Sequence, residues 1–182
     1  MRSAGLLHAL LGALASAMLF AGAPAFAQAS EQAVKAAFIP KFVRYIDYPP
    51  ASQPGAGQPY YLCVIGRDPF GPLLDRAAAS EVIDGHPVAV RRFANIDSVA
   101  VAGCNIAFIA GATDAATAQM VDGLKRQPVL TITDARNGHA RGMIHFTVVD
   151  GRVRFLIDQG SATARGLGIS SRLLALAVEV KP

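Results

Sequence analysis

A chain of 182 residues with 17 Lys and Arg against 13 Asp and Glu carries a formal net charge of +4, a mild basic balance that makes no case for nucleic acid as a partner. Beyond a short N-terminal leader, its length is that of one ordinary domain with enough chain to bury a core. No stretch after that leader is long and apolar enough to span a bilayer.

The leader comes first in chain order. Arg2 supplies a positive start, Leu6 to Gly22 form an apolar stretch rich in Leu and Ala, and Pro24-Ala25-Phe26-Ala27 places small residues where a signal peptidase reads them. These features predict export, cleavage after Ala27, and a mature domain of residues 28–182 working outside the cytoplasm. A transmembrane anchor is the competing reading. The run is short for a span, is diluted by Gly, Ser and Ala, and ends in a cleavage site.

From Glu31 to Asp47 the apolar residues Val34, Phe38, Phe42 and Ile46 recur every four positions, one face of a helix. Pro40 should kink or split that helix, because it lacks an N–H and sets its ring against the carbonyl of Ala36. Tyr48-Pro49-Pro50 ends it, and residues 51–59 form a Pro/Gly/Ser/Gln linker. Tyr60 to Ile65 is a continuous apolar run, as in a strand covered on both faces. Asp68 is placed to cap a helix starting at Pro69, with Phe70, Leu73, Leu74 and Ala77 on one stripe.

Asp84-Gly85 marks a turn before a strand over Pro87–Phe93, and Ile106–Ala110 is a short buried strand. A helix over Ala115–Leu124, capped by Thr113 or Asp114, leads to a strand over Val129–Thr133. The order so far is β-α-β-β-α-β, with part of the sheet parallel. Met143–Val149 and Arg152–Asp158 then flank Asp150-Gly151, a dipeptide suited to a type I′ hairpin. Ile144, Phe146 and Val148 should share an apolar hairpin face with Val153, Phe155 and Ile157. Ser161 is placed to cap a short turn ended by Gly166. Ser170 is placed to cap a final helix whose Leu173, Leu174, Ala177 and Val178 face inward, with Ile169 and Leu174 as a hydrophobic staple. The fold class is therefore α/β: a single domain with a mixed central sheet flanked by helices, closed by a C-terminal hairpin and helix.

The residues offer little chemistry. Gly66-Arg67-Asp68-Pro69-Phe70-Gly71 lies between a strand and a helix, but it lacks the Gly-Lys-Ser/Thr ending of a phosphate loop, and its prolines remove amides. His86, His139 and His145 have no partner at metal-ligand spacing. No nucleophile elbow occurs, and Asp134, Asp150 and Asp158 sit where strand ends and turns use Asp structurally. No catalytic residue, metal or cofactor is assigned, and the reading is of a binding protein and not an enzyme. Cys63 and Cys104 are the only cysteines, 41 residues apart. In an oxidising compartment such a pair reads first as a disulfide, the alternative being two buried free thiols in adjacent strands.

Five segments, taken in order, resemble the YfiR-like family of periplasmic proteins. They are Val34-Lys-Ala-Ala-Phe38 through Phe42 to Tyr48-Pro49; Leu62-Cys-Val-Ile-Gly66 with Asp68-Pro-Phe-Gly71; and Gly103-Cys-Asn-Ile-Ala-Phe-Ile109. The others are Gly142-Met-Ile-His-Phe146 with Gly151-Arg-Val-Arg-Phe155, and Gly166-Leu-Gly-Ile-Ser-Ser-Arg-Leu-Leu174. The resemblance implies a periplasmic α/β domain, often dimeric, that restrains a membrane-bound diguanylate cyclase by contacting its periplasmic sensor region. It also implies relief of that restraint by an outer-membrane lipoprotein that sequesters the repressor. Cys63 and Cys104 occupy the positions of a family disulfide. The chain departs from the best understood member in carrying a single cysteine pair and in placing Pro40 in the first helix. Phe42, Tyr45, Tyr48 and Tyr60 are the candidate partner-binding aromatics, with core packing the competing role for Phe42. Two rival roles remain at this level: a periplasmic small-molecule sensor, or an accessory of an outer-membrane transport or secretion complex.

Overall fold

The computed structural model describes residues 23–96 and 103–182, with side chains from Glu31 onward. Arg2 and the apolar stretch Leu6–Gly22 of the expected leader lie outside the described residues.

Helix α1 spans Ala23–Phe42 and is followed by a 3₁₀ turn over Val43–Tyr45 and the two-residue strand β1, Ile46–Asp47. Pro40 lies inside α1 without ending it. The hydrogen bond lost there is offset by burial of Ile39, Pro40 and Phe42 against the sheet. The helix stops short of the expected Asp47, because Ile46 and Asp47 pair instead, antiparallel, with Ile169 and Gly168 of β9, Gly168–Ile169.

The main sheet is built from β2 (Tyr60–Gly66), β3 (Val82–Ile83), β4 (His86–Phe93), β5 (Ile106–Ala110), β6 (Leu130–Asp134), β7 (Ile144–Val149), β8 (Arg152–Asp158) and β10 (Glu179–Lys181). Its eight strands run in the order β10-β8-β7-β6-β5-β2-β4-β3. From β4 through β2, β5 and β6 to β7 all neighbours are parallel. The β7–β8 and β3–β4 pairs are antiparallel, and β10 lies parallel to β8. The sheet is thus mixed, with a doubly wound centre. Helices α2 (Pro72–Ala79) and α3 (Asp114–Gly123) cross between strands, while α4 (Gln159–Thr163) and α5 (Ser171–Leu174) are single turns.

Period-two geometry explains why the central strands read as unbroken apolar runs. Leu62 and Val64 of β2, with Ile106 and Phe108 of β5, enter the larger core beneath α1 and α2. Cys63 and Ile65, with Ala107 and Ile109, enter a second core closed by Val121 and Leu124.

Local chemistry departs from expectation in three places. Asp68 caps the turn and not the helix: its Oδ1 accepts the N–H groups of Phe70 at 2.8 Å and Gly71 at 3.1 Å, and α2 begins only at Pro72. The turn after β8 is capped by Asp158, whose Oδ1 accepts the Ser161 N–H at 2.7 Å, so Ser161 receives a cap instead of providing one. Ser170 does cap α5, but that helix is one turn long. Val178 is consequently exposed, and the chain continues into β10, which adds to the sheet beyond the hairpin. The Asp150-Gly151 turn has positive φ at both residues, 50° and 70°, as a type I′ turn requires.

Candidate interaction site

Helix α1 is held at its N-terminal half by charge. Lys35 is fully buried, and its Nζ donates to Glu31 Oε1 and to Asp134 Oδ2, both at 2.6 Å. Asp134 closes β6, and its other oxygen accepts the Arg136 N–H at 3.0 Å. The Arg136 guanidinium returns to Glu31 through two bonds, 3.1 Å from Nε and 2.6 Å from Nη2. The four charges cancel, and Lys35 alone engages a carboxylate on either side. This is the arrangement that allows an ammonium group to be buried at all. The Arg136 fork holds the Glu31 carboxyl well below its ordinary value, at about 2, with Lys35 adding to the effect against the cost of burial.

Those bonds set the rotation of α1. With Lys35 turned inward, the buried face consists of Lys35, Ala36, Ile39, Phe42 and Val43. Val34 and Phe38, which by periodicity belong to the buried face, lie on its rim, 39% and 37% exposed. Ala33 and Ala37 are exposed beside them, as is Lys41 one turn on. Residues 33, 34, 37, 38 and 41 share one helix face, so α1 presents an apolar stripe ending in a cation. Phe38 is seated from beneath by Phe42 and Phe155, with ring centroids at 6.3 Å and 6.5 Å.

The aromatics singled out by sequence are mostly interior. Phe42 packs against Phe146 at 5.9 Å and Phe155 at 5.4 Å. Tyr48 and Tyr60 pack together at 5.8 Å, and the Tyr48 hydroxyl donates to the Asn105 carbonyl at 3.2 Å. Burial pushes both phenols up, Tyr48 with help from Tyr60, so both stay neutral. Tyr48, a candidate for the partner surface, is buried: it follows directly on β1, and Gln53 of the linker donates to its carbonyl at 3.1 Å. Of the four, Tyr45 alone is half-buried and reachable.

Cys63 and Cys104 form a disulfide with a Cα–Cα distance of 5.9 Å, inside the second core. It joins the middle of β2 to the residue two before β5. Closing a loop of 41 residues is worth roughly 4 kcal/mol in the chain-entropy account. Beside it, at the amino ends of the strands, a cleft of about 530 Å³ is lined by Ser52, Gln53, Tyr61, Asn105, Gln127 and other uncharged residues. Asn105 bridges that cleft, accepting the Tyr61 N–H at 2.9 Å and donating to the Ser52 carbonyl at 2.7 Å.

Doubly wound sheets usually bind ligands at the carboxyl ends of their strands, where the strand order reverses. Here that point lies between β2 and β5, and the chain itself fills it. The Arg67 N–H donates to the Ala110 carbonyl at 2.7 Å, and Arg67 Nε donates to the Gly111 carbonyl at 3.0 Å. At Gly66, φ is +87° and a Cβ would lie 2.3 Å from the Ala110 oxygen, so the two segments touch backbone to backbone. Of the histidines, His86 Nδ1 donates to the Gln58 carbonyl at 2.7 Å, His145 is buried, and His139 is exposed. Among the described residues no group of three or more His, Cys, Asp or Glu is placed to hold a metal, and no helix is long and apolar enough to cross a membrane.

The ionic network was missed by sequence reasoning. Lys35 and Asp134 stand 99 residues apart, and the one local signal was a lysine next to the apolar face of a helix. A profile of the protein family described as YfiR/HmsC-like matches residues 32–178, nearly the whole of the folded domain. No curated protein sequence matches the chain at a significant level.

Proposed function

The chain belongs to the YfiR/HmsC-like family, and from that premise we propose that it is an exported periplasmic regulator that holds a membrane sensor enzyme, a diguanylate cyclase, in its inactive state. The observation that carries this reading is the family match across residues 32–178. Export would follow from the leader, with the mature product beginning at Gln28.

A protein on the far side of the membrane affects cytosolic synthesis only by binding one state of a membrane-spanning partner better than the other. The apolar stripe of α1 is the surface this reading assigns to the partner's periplasmic region. Phe38 serves as the aromatic anchor, with Ala33, Val34 and Ala37 allowing close approach and Lys41 at the rim. Shifting a cyclase from almost fully active to almost fully inactive needs about 5.5 kcal/mol of differential binding. One anchor typically supplies about 2–4 kcal/mol, so the contact extends past the stripe, and half-buried Tyr45 is its nearest continuation. An outer-membrane lipoprotein, or a second copy of this chain, would relieve or alter repression by covering the same stripe.

The deciding experiment is cyclic di-GMP in a gene-deletion strain, with and without the periplasmic region of the candidate cyclase. A rise that disappears with that region supports the reading, and unchanged levels in both strains sink it.

A further inference from the structure

Helix α3 packs on the centre of one face of the sheet, and among the described residues no helix packs on the corresponding face of the β7–β8 hairpin. On that face the register places His145 opposite Leu156, Thr147 opposite Arg154, and Val149 opposite Arg152. The loop after β6 stands over one end of it. Together they enclose a groove of about 370 Å³, lined on its polar side by His139, Arg141, His145 and Thr147 and on its apolar side by Val149, Leu156 and Val178. We propose that this groove binds a small organic acid, its carboxylate held by Arg141 and His145 and its apolar body laid on Val149, Leu156 and Val178.

The polar end is built and not incidental. His145 is 4% exposed, and its Nδ1 lies 2.8 Å from Thr133 Oγ1. That hydroxyl also accepts the Gly142 N–H at 2.8 Å, and its own proton is free to be donated to Nδ1. In that arrangement, which the proposal adopts, the ring proton sits on Nε2, a donor with no partner among the described residues. Burial, and after it the nearby charge of Arg141, hold the imidazole below its ordinary pKa. At neutral pH the groove thus offers one neutral N–H donor and one permanent cation.

Charge then selects the ligand. No carboxylate lines the groove. The acids behind it are engaged: Asp134 by Lys35, and Asp114 by the Ala140 N–H at 2.7 Å. Among the described residues Arg141 makes no ion pair, in common with most of the arginines, so its charge is not already engaged by a carboxylate. A guanidinium fork beside a single N–H fits the two oxygens of a carboxylate, and the apolar floor gives inorganic phosphate nothing to contact. The larger cleft beside the disulfide has no charged lining residue and therefore no such selectivity.

The test is titration of the purified protein with phenylacetate, hexanoate, phenylacetamide and inorganic phosphate, following the imidazole signals by NMR. At least one of the two acids should shift the His145 signals with Kd below about 1 mM, and the amide and phosphate should bind at least about tenfold more weakly. Arg141→Met, a change at an exposed side chain, should weaken the acid about tenfold or more while the thermal melting curve stays as in the parent. The proposal is overturned if neither acid shifts His145 by about 10 mM, if phenylacetamide matches phenylacetate, or if Arg141→Met leaves affinity unchanged. These readouts involve no cyclase, so they stand or fall apart from the regulatory role.

Discussion

Lys35 shows how one buried charge positions a helix. Replacing it by Met removes the cation but leaves Asp134 buried with a charge and only a backbone N–H, and breaking such a pair from one side costs about 3–5 kcal/mol. Lys35→Met should lower stability by about that amount in urea unfolding, and Lys35→Met with Asp134→Asn should recover part of it, since the carboxamide has no charge to bury. A loss under about 0.5 kcal/mol for the single variant would mean that the network does not hold α1. Glu31 makes the same network sensitive to acid. Its folded pKa of about 2 lies below its ordinary 4.5, so its contribution is complete above pH 4.5 and is lost as pH falls from 4.5 towards 2. Urea midpoints over that range should fall more steeply for the parent than for Glu31→Gln.

At the scale of elements, α1 and α5 both depart from their sequence patterns. The final helix was expected to bury Leu173 and Leu174 alike, yet Leu173 is 1% exposed while Leu174 is half-buried. Leu173→Ala should therefore cost about 2–5 kcal/mol as a core truncation, and Leu174→Ala clearly less. Equal costs in chemical denaturation would show that α5 is longer or turned. On α1, Ala37 lies in the middle of the exposed stripe. Ala37→Glu should abolish repression of the cyclase in cells while shifting stability by no more than about 0.5 kcal/mol, because it places an unpaired charge in the interface and none in the core. Wild-type cyclic di-GMP in cells making that variant would remove the stripe from the interface.

For the whole molecule, the disulfide joins the two cores' shared strand, β2, to the entry of β5. Changing both cysteines to Ser should lower stability by about 2–5 kcal/mol, a large part of the roughly 5–15 kcal/mol typical of a domain. Thermal or urea unfolding of the double variant checks the size. Thiol labelling of the unfolded parent without reductant checks the bond, and two labelled thiols per chain would refute it.

The elements themselves were legible because their signals are local. Continuous apolar runs at Tyr60–Gly66 and Ile106–Ala110, the Asp150-Gly151 turn, and the caps at Thr113 and Ser170 each act within a few residues. The mixed α/β architecture follows from their order, and the cysteine pairing was legible from the count of two together with the oxidising compartment that the leader predicts. The rotation of α1 was not, because a period of four cannot distinguish a buried Val34–Phe38 face from one turned by a lysine whose counter-ion lies 99 residues away. Nor was the burial of Tyr48, which follows directly on β1, a strand formed only by pairing with β9 across the chain. The groove at His145 has the same origin: Arg141, His145 and Val149 lie within one stretch of chain, but Leu156 of β8 and Val178 complete its apolar floor only once the sheet has closed.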